Sequence, residues 1–216
     1  MLDAAVVSEF QAEENFMRFL KTHSYDIVKL FINQIGIMVF SLVLYAAIGS
    51  VDDKYQNMVR LYVSIFSILF YCALLYNIAW EHGANDKIRV ESGKMKPFKL
   101  KGAVLSLYAN VLNFIIAICA SVFMGVHLAT ASEWSYSAFN VFNIIMRFLS
   151  SMYIGVLSSI FAHFESNINL YYFWQSVGFF FCAFVSVIAT QIGYWFGRKE
   201  WRIFGWLNTG KKNKGQ

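Results

Sequence analysis

Residues 137–166 read SAFNVFNIIMRFLSSMYIGVLSSIFAHFES. The fold turns on whether this stretch crosses a membrane. Arg147 sits near its middle, and Ser150, Ser151, Ser158 and Ser159 follow. The apolar part, Phe148 to Phe164, is only just long enough, since a span takes about 20 residues. His163 and Glu165 close the stretch with polar groups.

Outward from it, four longer apolar runs are plain. Spans are expected near 27–49, 58–80, 102–128 and 170–196. They form a bundle over 27–197, between an N-terminal segment (1–26) and a basic tail (198–216). In the N-terminal segment Val6, Phe10, Met17 and Leu20 recur at roughly helical spacing, with Glu9, Glu13, Glu14 and Arg18 between them. That pattern predicts an amphipathic helix on the membrane or on the bundle. The segment lacks a basic stretch followed by an apolar one, so the first span is expected to drive insertion.

Composition agrees. Hydrophobic residues make up 58% of the 216-residue chain, aromatics 19% and charged residues 14%. A soluble domain carries about 25% charged residues. The net charge of +5 would suit nucleic acid in a soluble protein. Here the cations flank apolar runs, so topology and anionic lipid headgroups are the better partners, and nucleic acid is not. Cys72, Cys119 and Cys182 each lie inside an apolar run, where a thiol is a small hydrophobe.

Charge then tests the number of spans. Loop 81–101 carries six Lys and Arg, the tail six, and the segment before the first span three. Loop 129–136 carries none. Cytoplasmic segments are enriched in Lys and Arg. Five spans would put nine cations on one side and eight on the other, with Arg147 left out. Four spans place fifteen of the eighteen together, opposite Lys54 and Arg60. The expected fold is therefore all-α, four full spans plus a re-entrant or interfacial pair of half-helices at 137–166, with five full spans as the alternative. Both termini are then cytoplasmic.

Arg147 is the foremost candidate residue. A charge inside an apolar segment must be paired, solvated or reach the headgroups. It is read either as an anion or polar-substrate contact or as an interfacial arginine, with Asn140 and Asn143 on its helix face and Glu165 and His163 as possible tertiary partners. Asn33, Asn110 and Asn113 are the other candidates for a polar cavity, with packing across helices as the alternative. Small residues at fourfold spacing mark helix contacts: Ala117, Ser121 and Gly125 in the third span, then Gly178, Cys182 and Ser186 in the last, followed by Gly193 and Gly197. Glu81, His82 and Asp86 read as a solvated group in a loop, paired with Lys87 and Arg89. No catalytic motif, cofactor fingerprint or zinc spacing is present, so no cofactor or metal is assigned and an enzyme is not expected.

Two strings, WEHGANDKIR (80–89) and IGYWFGR (192–198), resemble segments of small uncharacterised polytopic membrane proteins of clostridia and related Gram-positive bacteria. The resemblance implies a bacterial cytoplasmic membrane with the basic loop and tail inside. It implies no activity. The leading functional expectation is an ion or small-molecule transport component, with a homo-oligomer possible because one short chain leaves little room for a cavity. The alternative is a scaffold or accessory subunit that binds a protein through the basic loop and tail.

Overall fold

The computed structural model describes residues 4–49, 52–94, 96–164 and 166–201, with side chains from Lys21 onward except that of Asp53. The apolar and acidic faces expected before residue 21, Glu165 and the tail beyond Trp201 lie outside the described residues. Among the described residues all regular structure is helical: α1 (Ala4–Ile48), α2 (Asp53–Glu91), α3 (Lys101–Ala109), α4 (Val111–Thr130), α5 (Glu133–Leu149), α6 (Ile154–Phe161) and α7 (Ile168–Arg198). Short 3-10 turns flank α6.

Four helices are long and apolar enough to cross a membrane: Lys21–Ile48, Lys54–Glu91, Val111–Thr130 and Ile168–Arg198. The contacts give their directions. Asp26 faces His82 while Phe40 faces Phe66, so α1 and α2 are antiparallel. Gly193 lies on Tyr76 and Gly197 on Trp80, so α7 runs parallel to α2. Gly102 lies on Thr190 and Gly125 on Phe173, so α3 and α4 run antiparallel to α7. It follows that α4 ends, and α7 begins, at the same end of the bundle, the one that carries the α1–α2 turn. The chain between them does not cross. It enters as α5, bends by 86°, and leaves through α6. We call the two ends the turn end and, after Lys94, Lys96 and Lys99, the basic end.

The bend shows why non-helical backbone can sit inside the bundle. A polar group left without a partner in hydrocarbon is costly, so protein must supply one. Ser64 of α2 donates to the Met152 carbonyl and accepts from the Val156 amide at 3.2 Å. Tyr45 of α1 accepts from the Gly155 amide at 3.0 Å, and Ser151 donates to the Met38 carbonyl at 3.3 Å. Gly155 is required here, since a Cβ would lie 2.1 Å from the Arg60 carbonyl oxygen.

Two elements differ from the sequence expectation. The third span is broken at Asn110, which separates α3 from α4. The second helix does not stop at Trp80. It continues to Glu91, where Gly93 (φ +71°) ends it. Its amide donates to the Val90 carbonyl and the Lys94 amide to Arg89, a Schellman cap. At 39 residues α2 is about 58 Å long, roughly twice the hydrocarbon thickness. Half of the expected 81–101 loop is thus helix.

The bundle is apolar outside, and its interior mixes an apolar core with many buried polar residues. Ser41, Ser64, Ser67, Ser106, Gln175 and Ser186 are buried, while Ile32, Val43, Leu69, Ile115 and Phe181 are exposed. That arrangement suits a lipid solvent, where small and polar residues mediate helix contacts.

Candidate functional site

Three polar groups stand at three depths. At the basic end, Asp86 of α2 and Lys101 of α3 form an ion pair at 2.8 Å, and each is 3% exposed. The Tyr194 hydroxyl of α7 lies 3.0 Å from the same carboxylate oxygen and 3.1 Å from the Phe98 carbonyl. Gln191 of α7 accepts from the Ala103 amide at 2.9 Å and donates to the Lys99 carbonyl at 3.0 Å. Glycines let the backbones approach this closely: a Cβ at Gly83 would lie 2.3 Å from the Tyr194 carbonyl oxygen. One turn away His82 faces Asp26 of α1 at 3.6 Å, and His23 faces it at 3.2 Å. Outside the bundle Lys87 pairs with Glu200 at 2.9 Å and with Glu91 at 3.7 Å.

Asp86 is therefore not the solvated loop carboxylate expected beside Lys87 and Arg89. The helix runs on through it and turns it inward, onto a lysine fifteen residues ahead. Glu81 is exposed. The group thus splits between the surface, α1 and the interior.

At mid-depth Asn113 donates to Asn110 at 3.0 Å, and Asn110 donates to the Ser106 carbonyl at 2.9 Å. Ser106 in turn reaches Ser186 of α7 at 3.5 Å. Asn110 sits at the α3–α4 break, so its side chain serves the carbonyls there. The gap beside Asn113, between Met146, Ser150 and Phe179, has no room for a water molecule. Asn33 is separate: it donates to its own helix at the Lys29 carbonyl, 2.7 Å away.

At the turn end stands Arg147, half-buried on the last turn of α5. Its Nε donates to Asn143 at 3.2 Å and its Nη2 to Gln175 of α7. The guanidinium carbon lies 5.3 Å from the Tyr172 ring centroid. Gln175 donates to the Tyr171 hydroxyl at 3.1 Å, and Tyr171 to Ser158 of α6 at 3.2 Å. Arg147 makes no ion pair among the described residues. Asn143 meets it as its i−4 neighbour. His163 instead meets the Phe164 ring edge-on.

The small residues fall at several contacts. Gly193 and Gly197 lie on α2, and Gly178 on Leu157 and Phe161 of α6. Ser186 is buried against α3, and Cys182 is half-buried. On α4 Ala117 is buried and Ser121 donates back to its carbonyl at 2.8 Å. Gly125 faces Phe173. Residues that sequence reasoning passed over are Lys101, Tyr194, Ser64, Tyr45 and Gly155. Their partners lie on other helices, and no local pattern announces those pairings. Among the described residues no group of three or more His, Cys, Asp or Glu is arranged to hold a metal ion.

Comparison with family models, with curated proteins and with solved structures finds no match to this chain.

Proposed function

We propose that the chain is a membrane-embedded anchor or accessory subunit that docks a protein partner at its basic end, and that it is not itself a conduit. The observation that carries this is how the candidate pathway residues are used. Asn33, Asn110, Asn113 and Arg147 fall into three separate groups on different helices and do not line one passage. Where Asn113 approaches α5 and α7, no water fits. A conduit needs polar groups that line one continuous passage.

The basic end has what docking requires. Arg89, Lys94, Lys96 and Lys99 are exposed, and Ile88, Phe98 and Leu100 are exposed between them. Cations interleaved with large apolar side chains suit an acidic amphipathic segment of a partner protein. By the charge rule this end faces the cytoplasm, and the resemblance of residues 80–89 and 192–198 to segments of small clostridial membrane proteins implies the cytoplasmic membrane of a bacterium.

The test has two arms. In proteoliposomes, potassium, chloride and proton gradients should decay as in empty vesicles. In cells, a photo-crosslinker at Lys96 should capture one acidic partner, and changing Lys94, Lys96 and Lys99 to Glu should abolish capture. Flux that scales with protein and falls in Arg147→Ala would overturn this reading and restore transport. Transport would then need a route between copies.

A further inference from the structure

The charge at Arg147 is incompletely used. A guanidinium has five N–H donors in a planar fork. Nε–H and one Nη2–H serve Asn143 and Gln175, both neutral amides. These two donors form one edge of the fork. The other edge, Nη1 with the second Nη2–H, has no protein acceptor among the described residues. That free edge is the geometry that grips two oxygens of a phosphate or carboxylate.

The side chain is also held still. Tyr172 lies beside the guanidinium, and Gln175, only 1% exposed, is itself fixed by Tyr171, which leans on Ser158. Three helices thus orient one cation, yet none of their described residues neutralises it. A structure that only needed to satisfy Arg147 would place a carboxylate at 175.

Depth identifies the anion. Helix α7 has 31 residues, so it is about 46 Å long and matches the roughly 40–45 Å of a bilayer with its headgroup layers. Gln175 lies seven residues into it, about 10 Å below the turn end. That is close under the headgroup layer, within reach of lipid phosphates for a long arginine side chain. Ile144 and Phe148 beside Arg147 on α5 are exposed, so the site opens toward lipid.

We propose that the free edge of Arg147 binds a phosphate group at the turn end, supplied by a phospholipid headgroup. The site stands apart from the docking role proposed for the basic end, and each can fail without the other. The same chemistry would accept free phosphate, and the test separates the two sources. The full chain is purified in mild detergent and given phosphatidylglycerol, and bound lipid is read by native mass spectrometry, with and without excess inorganic phosphate. Wild type should retain one lipid molecule that Arg147→Gln holds about tenfold more weakly or worse, the loss expected of a charge-assisted contact. Gln175→Glu supplies an internal counter-ion. It should release the lipid equally while leaving the thermal midpoint unchanged or higher, so a folding defect in Arg147→Gln does not decide the matter. Displacement by inorganic phosphate would assign the site to the free anion, and no displacement to the lipid. Equal retention by wild type, Arg147→Gln and Gln175→Glu, with no inorganic phosphate bound by any, would overturn the proposal.

Discussion

The two ends of the bundle treat charge in opposite ways. At the basic end Asp86 and Lys101 are both 3% exposed and neutralise each other across two helices, with Tyr194 from a third. At the turn end Arg147 is half-buried, held by two amides and a ring, and its charge is left over. The first arrangement balances its charge within the chain and acts as a rivet. The second does not, and its charge is available to something outside the chain. Burying a charged group is costly, and a closed pair recovers that cost only when both partners are present. So the basic end should be brittle to single substitutions and the turn end tolerant.

The sharpest way to break this contrast is at Asp86. Asp86→Ala leaves Lys101 buried without its counter-ion and should cost about 3–5 kcal/mol, read as a lower midpoint in detergent-based thermal unfolding. Lys101→Ala should cost the same. The double variant Asp86→Leu/Lys101→Met removes both charges and should recover most of the loss. A double variant no better than the singles would mean that the pair is not the stabilising unit.

Close backbone contact comes next. At Gly197 a Cβ would lie 2.1 Å from the Trp80 carbonyl oxygen, and at Gly155 equally close to that of Arg60. Neither neighbour is a side chain that can swing away. Gly197→Ala and Gly155→Ala should each cost about 1–3 kcal/mol by forcing helices apart. Gly36, with nothing within 4 Å, is the control: Gly36→Ala should be neutral or slightly stabilising. Ser64→Ala should fall in the same range, about 1–3 kcal/mol, because it strips a buried acceptor and donor from the bend. Apart from the Gly36 control, Arg147→Gln should have the smallest effect on stability, about 1–2 kcal/mol, because it leaves no counter-ion buried without its partner. A larger loss there would erase the contrast between the ends.

How far these features could be read from residues alone follows from where their causes lie. The four long helices rest on long apolar runs. The non-crossing segment rests on the distribution of Lys and Arg. Both are local or additive properties of the chain. The true end of α2 was also within reach. Ser64, Ser67, Tyr71, Leu75, Ala79, Gly83 and Asp86 recur every three or four residues and are all buried. Hydropathy ends the span at Trp80, but this stripe continues past it to Asp86. The break at Asn110 has no proline or glycine to announce it. The 86° bend depends on Ser64 and Tyr45, roughly ninety and a hundred and ten residues away in the chain. The Asp86–Lys101 pair depends on the reversal at Gly93, and the Arg147–Gln175 contact on how α5 crosses α7. These are tertiary facts, and only packing reveals them.

The central claim is that residues 133–164 enter the bundle and return to the end they left. Single cysteines at Ser132, Asn167 and Lys94, placed in a chain whose Cys72, Cys119 and Cys182 are changed to Ala, test it directly. A membrane-impermeant maleimide added to intact cells, and then to opened ones, reports the side of each. Positions 132 and 167 should label from one side and position 94 from the other. Labelling of 132 and 167 from opposite sides would make the bent segment a fifth crossing and contradict the account.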